Sequence, residues 1–303
     1  MFSQRMTNSF RPTLIAAGLL AGLASANAQS TTAQRTVDEL LAVDREHASR
    51  AQRRNVIDAL GGMFADDVVM SAMGAFHGGR EAALTQLRSV PENLSGRLEW
   101  APLRGGISAD GQHGFTFGFM TLVRADSTRL PLKYLAYWVK QSDGWKVAVY
   151  RRVVRPAGEV TTAMREPSLP AQTVDVTRDA AIIARHAREL GDAERSFSEL
   201  AGKIGLGPAF TRNAAPDAMN MGGPQSANFL FGPEAIGAGV GGGQTGPSML
   251  TWGPDTVLVA SSGDLGVTIG HILPRPEPGA EQRRIPFFTV WKKVGGVWKF
   301  VAE

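Results

Sequence analysis

The chain has 303 residues, a formal net charge of +4, 43% hydrophobic residues and no cysteine. Without cysteine it has neither disulfides nor thiolate metal sites, and thiol redox chemistry is excluded. The length fits two domains, each large enough to bury its own core.

The chain opens with Arg5 and Arg11, then an apolar run over 14–24, then Ala26-Asn27-Ala28. A basic start, a short apolar stretch and small residues at the junction predict a secretory signal peptide cleaved after Ala28. The run falls short of the roughly 20 residues that a membrane span needs. The expected product is therefore periplasmic or secreted, with no membrane insertion after cleavage. Cleavage would remove two arginines and no acid, which weakens the case for a polyanionic partner. Arg50, Arg53 and Arg54 read as a solvated helix face, and Arg151, Arg152 and Arg155 as a strand end. No nucleic-acid motif accompanies either cluster.

From Val37 to about Arg54, apolar residues recur near helical spacing, with Asp38 and Glu39 in the first turn. A second helix over 56–64, a short strand over 68–71, a loop over 74–79 and a third helix over 80–88 follow. After Pro91 the pattern changes to strands over 96–101, 105–108, 114–125, 130–140 and 145–153, separated by turn residues. Residues 156–170 hold three prolines, Gly158, Ser168 and mixed charges, a linker composition. The second half repeats this order with a longer opening helix over 176–201, a Gly-rich loop over 237–247 and an insertion near 274–279. The predicted division is signal peptide 1–28, first domain 29–155, linker 156–173 and second domain 174–303. Helices followed by a run of antiparallel strands give an α+β layout.

The two halves match residue by residue. Trp100, Gly111, Gly114, Thr116 and Gly118 return as Trp252, Gly263, Gly266, Thr268 and Gly270, all at an offset of 152. Trp138 and Trp145 match Trp291 and Trp298 at 153, and Arg45 and Asp67 match Arg195 and Asp217 at 150. Two domains of one fold account for this. Residues present in both halves are expected to serve the shared fold, and residues that differ to serve a site.

Asp44-Arg45-Glu46, the segment 64–69, Gly79-Arg80-Glu81-Ala82, Trp100-Ala101-Pro102, the segment 134–138 and Asp143-Gly144-Trp145-Lys146 together resemble the nuclear transport factor 2-like (SnoaL-like) superfamily. They resemble most closely its bacterial branch of small domains without assigned function. In the second half, the segments 194–197, 232–235 and 290–293 resemble the same branch. The resemblance implies two tandem cone-shaped domains, each a curved antiparallel sheet packed against N-terminal helices around an apolar pocket. It also implies an intrachain pseudo-dimer of the two domains. Enzymes of the superfamily place a carboxylate or His deep in the cone, where burial shifts its pKa.

The expected function is binding of a small apolar ligand, with cofactor-free proton transfer or hydration in the first domain. The alternative is a non-catalytic interaction module whose pockets are filled by side chains. His47, on the apolar stripe of the first helix and replaced by Phe197 in the second half, is the candidate base. Asp44, one turn away, is the candidate orienting acid. A core or rim His and a solvated helix pair are the plain alternatives. Arg45, Met70, Phe117, Tyr134 and Trp138 are the candidate pocket residues. Core packing on two apolar sheet faces is the favoured reading of the aromatics. The second half looks the weaker site. Gly237, Gly239 and Gly242 fit a dinucleotide fingerprint only in spacing and read as a loop. The five His are scattered, so neither metal nor cofactor is expected.

Overall fold

The computed structural model describes residues 16–275 and 281–303, with side chains from residue 31 onward. The first half runs α1 (Ala16–Ala51), α2 (Val56–Gly61), β1 (Phe64–Ala72), β2 (Ala75–Gly78), α3 (Arg80–Arg88), α4 (Pro91–Ser95), β3 (Arg97–Ile107), β4 (His113–Val123), β5 (Arg129–Gln141) and β6 (Gly144–Val154). The second runs α5 (Ala180–Ile204), α6 (Leu206–Asn213), β7 (Ala214–Asn220), β8 (Leu230–Phe231), α7 (Pro233–Gly241), β9 (Leu250–Val259), β10 (Leu265–Pro274), β11 (Ile285–Val294) and β12 (Val297–Ala302). The expected signal peptide lies partly outside the described residues; its described part is the first stretch of α1. The insertion near 274–279 lies largely outside them. Among the described residues no helix is long and apolar enough to cross a membrane.

Each half forms a six-stranded sheet, in the orders β2-β1-β6-β5-β4-β3 and β8-β7-β12-β11-β10-β9. The fold is α+β in two tandem units, as expected. The sheets are mixed, however, because β1 runs parallel to β6 and β7 parallel to β12. Local chemistry explains the ends. Asn55 caps α2 by accepting from the Asp58 amide at 2.9 Å, Asp179 caps α5, and Pro91 opens α4, where its missing N–H costs nothing.

Three local expectations change. The loop over 74–79 contains β2. The two strands expected over 96–108 are one, β3, bulged between Pro102 and Arg104 because proline has no N–H for the ladder. At this bulge a Cβ on Gly118 would lie 2.1 Å from the Ala101 carbonyl, and one on Gly270 would lie 2.0 Å from that of Gly253, so both repeats need glycine there. Finally, Gly237 and Gly239 belong to α7 rather than to a loop. A Cβ on Gly237 would meet the Thr211 hydroxyl at 1.9 Å, so the glycine lets α7 lie close against α6.

Strand alternation separates two faces of the first sheet. Thr116, Tyr134, Ala136 and Trp138 face the helices and join Leu40, Leu41 and Leu60 in the cone core. Phe115, Phe117, Leu135, Tyr137 and Val149 face the other way and merge with the core of the second half. The two halves thus pack sheet to sheet as an intrachain pseudo-dimer. Phe229 seals the joint against Phe117 and Phe119, with ring centroids 5.2 and 5.0 Å apart.

Polar contacts fix this register. The β3–β4 and β9–β10 turns clasp each other: the Ala109 amide donates to Asp264, and the Ser262 amide and Ser261 hydroxyl donate to Asp110. Lys133, 1% exposed, donates to the carbonyls of Met221, Ser226 and Asn228 at 2.6, 2.6 and 2.7 Å. Arg104, Lys292 and Ser168 converge on Asp217. Its repeat counterpart Asp67 is exposed, so the matched pair does not share one role. Residues 156–173 are stitched down rather than free. Ser168 pairs with the backbone of Gly105 and Ile107, which covers the edge strand β3, and Arg165 stacks on Phe231.

Candidate ligand-binding sites in the two cones

The repeat converges on one buried carboxyl in each cone. In the first, Asp44 is 0% exposed and accepts from Trp100 Nε1 and from the Tyr134 hydroxyl, both at 2.7 Å. In the second, Glu194, also 0% exposed, accepts from Trp252 Nε1 at 2.7 Å, Thr268 Oγ1 at 2.5 Å and Trp291 Nε1 at 2.9 Å. Burial pushes both carboxyls above the ordinary range, against the lowering effect of these hydrogen bonds. The offset of 150 that pairs Arg45 with Arg195 pairs Asp44 with Glu194. Matched positions, rather than positions unique to one half, therefore build the polar centre of each cone.

The expected Asp44–His47 pair does not form. Both oxygens of Asp44 are taken by donors from β3 and β5. His47 instead lies against the Trp138 ring, 6.2 Å between centroids, and burial lowers its pKa to about 4. Positions i and i+3 share a helix face, but α1 turns Asp44 under the sheet and leaves His47 at its border. Of the candidate pocket residues, Tyr134 and Trp138 are filled-in core around Asp44. Phe117 is on the opposite sheet face, against Phe229 and Phe231 of the second half. Arg45 is exposed and reaches Met164 in the linker. Met70 lines a cavity of about 230 Å³ at the mouth of the first cone.

A larger cavity, about 320 Å³, opens in the second cone, which the sequence marks as the weaker site. Phe210, Leu250, Trp252, Ile272 and Phe287 supply apolar wall, and Asn220, Glu303 and Arg151 supply polar groups. Trp252 has its ring on the cavity and its Nε1 on Glu194. Glu303 is fixed by backbone pairing at both ends: its amide donates to Met219 and its carbonyl accepts from Met221. Its side-chain pKa is pushed up to about 8, first by burial and then by the charge of Glu194, while Arg151 and a long Asn220 contact of 3.4 Å pull the other way. Arg151 belongs to β6 of the first half, so the second cone borrows a guanidinium across the domain joint.

Arg151 and Arg152, read from the sequence as a strand end, lie near the end of β6 but are half-buried. As neighbours on one strand they point to opposite faces, Arg151 into the second-cone cavity and Arg152 into the first. Glu303 stands where Tyr150 stands in the first half, at an offset of 153. A carboxyl in place of a phenol opens the space. That substitution is the sequence signal for this site.

No family model matches the chain, and neither does any curated protein. Solved structures do. A nuclear transport factor 2-like protein of unknown function from Shewanella oneidensis aligns over 38% of this chain and 96% of its own length, at 15% identity and TM-score 0.32. One from Pseudomonas putida aligns over 42% and 89%, at 17% identity and TM-score 0.32. A ketosteroid isomerase-like protein from Erwinia carotovora aligns over 39% and 95%, at 17% identity and TM-score 0.31. Each spans about one of the two units described here, with helices leading into a six-stranded curved sheet. Both halves share one α+β layout, helices followed by a six-stranded mixed sheet. In this tandem chain, the polar centres of the cones differ in access: Asp44 is sealed, whereas Glu194 has a cavity on the far side of Trp252.

Proposed function

We propose that the chain is an exported small-molecule-binding protein whose working pocket is the second cone, completed by Arg151 from the first domain. The observation that carries this reading is the 320 Å³ cavity, apolar except for Asn220, Arg151 and a Glu303 carboxyl held near pKa 8. Apolar walls with few convergent polar groups suit a small, largely apolar molecule carrying one or two hydrogen-bonding atoms. At neutral pH Glu303 is mainly protonated, so it donates a hydrogen bond and can pass a proton to or from a bound molecule. Proton transfer without a cofactor is thereby assigned to Glu303 rather than to His47 and Asp44. The first domain supports the pocket through Arg151 and the sheet-to-sheet joint.

Export is supported by the repeat. The second domain's opening helix starts at Ala180 with Asp179 as its cap, and the offset of 150 maps that start onto Ser30, just past the Ala28 junction. What precedes it has no counterpart in the other half.

One experiment tests both parts. Native mass spectrometry of the protein from an exporting host should show a chain beginning at Gln29 with an added organic mass, released on denaturation. Glu303→Tyr, which restores the first-half residue, should lose that mass while remaining folded. A chain retaining residues 1–28 removes export, and an added mass that survives Glu303→Tyr removes this pocket.

A further inference from the structure

The cavity at the mouth of the first cone holds a cation that no described carboxylate pairs with. Arg152 lines it. Its Nη2 donates to Asn93 Oδ1 at 2.8 Å, and its buried Nη1 has no hydrogen-bond partner. Among the described residues no carboxylate pairs with it. The acid that lines the same cavity, Glu92, sits at the rim beside Arg124, 3.9 Å away. An unpaired guanidinium away from water is costly, and a buried donor left empty adds to the cost. Its neighbours show what would satisfy it. Tyr150, fully buried, donates only to the Met120 thioether at 3.7 Å, so its hydroxyl lacks a strong acceptor. Asn93 is locked by donating to the Leu87 carbonyl at 2.8 Å, which fixes the oxygen that holds Arg152. Around these groups the wall is apolar: Met70, Leu87, Leu122 and Leu132.

We propose that this cavity is a second binding site, distinct from that of the second cone, for a small aliphatic monocarboxylate. Its carboxylate lies on the Arg152 fork with the Tyr150 hydroxyl beside it, and its chain runs along Met70, Leu87 and Leu132. The planar guanidinium matches a carboxylate in two-point geometry, which gives Arg an advantage over Lys at such a site. The apolar wall selects an organic acid over a free inorganic anion. The assignment does not depend on the reading of the second cone, since no residue is shared between the two cavities.

The test is methyl NMR on the full chain, titrated with hexanoate, hexanol and inorganic phosphate. Met70 and Leu132 report this cavity, and Met221 reports the other. Hexanoate should shift Met70 and Leu132 with an affinity at least tenfold above that of hexanol, phosphate should leave them unmoved, and Arg152→Met should remove at least tenfold of the hexanoate affinity. Equal midpoints for hexanoate and hexanol, shifts confined to Met221, or phosphate acting as well as hexanoate would each overturn the proposal. The wild-type comparison of acid with alcohol stands even if Arg152→Met fails to fold.

Discussion

The first cone satisfies its buried carboxyl with a short acid and a long phenol, the second with a longer acid and no phenol. Asp44 meets Tyr134, whereas the Tyr134 counterpart at an offset of 153 is Phe287, which has no hydroxyl to offer Glu194. The extra methylene of Glu194 brings its carboxyl to Trp291 and Thr268. In the first cone the matching Trp138 turns to Thr116 instead, at 2.8 Å. Each half thus reaches full pairing by a correlated choice of acid and aromatic. The polar centre is part of the fold, and the open space beside it is what varies. Removing either acid should have the largest effect. Asp44→Ala strands the Trp100 and Tyr134 donors, and Glu194→Ala strands Trp252 and leaves Trp291 and Thr268 with only each other and the Thr289 carbonyl, so each should cost about 3–5 kcal/mol of stability by urea denaturation. A loss under about 1 kcal/mol would show that water reaches these groups and that the centres are not sealed.

A swap sharpens the contrast. Asp44→Glu alone forces a methylene into a packed centre, and Tyr134→Phe alone leaves an Asp44 oxygen without its donor. Each single change should cost about 1–3 kcal/mol. Together they copy the second cone, and the double variant should recover most of the loss, with a coupling energy of about 1–2 kcal/mol in a double-mutant cycle. Additive losses would mean that the acid and the aromatic were chosen independently.

The repeat made the architecture legible, because glycines and tryptophans at constant offsets mark the same bulges and the same ring positions in both halves. Inward and outward strand faces were also legible from alternation, but which face is the cone was not. Phe117 and Tyr134 are equally aromatic, and only the register of β4 with β5 puts them on opposite sides. Asp44 was found and misassigned for a related reason. Its partners are 56 and 90 residues away, whereas His47 is one turn away and shares none of them. Arg151 was missed as a site residue because a strand end looks solvated until a second sheet covers it, and Arg152 and Glu303 because nothing local shows that a strand end closes onto its own cone.

The smallest effect discriminates between the cones most directly. Tyr150 and Glu303 occupy matching places, but burial raises the phenol, already the weaker acid, out of reach, while the carboxyl is brought to about 8, within reach of experiment. The folded state then holds a proton that the unfolded chain, with its carboxyl near 4.5, has already lost at neutral pH. The stabilising share of Glu303 is fully present below about pH 4.5 and is lost as pH rises through about 8, with a slope of up to about 1.4 kcal/mol per pH unit. Glu303→Gln keeps the shape and removes the titration, so stability measured by urea melts should become flatter between pH 5 and 8 and exceed that of the wild type at pH 8. Tyr150→Phe should leave the slope unchanged over the same window. If Glu303→Gln keeps the wild-type slope, the Glu303 carboxyl is solvated and ionised, and the second cone loses the group that distinguishes it from the first.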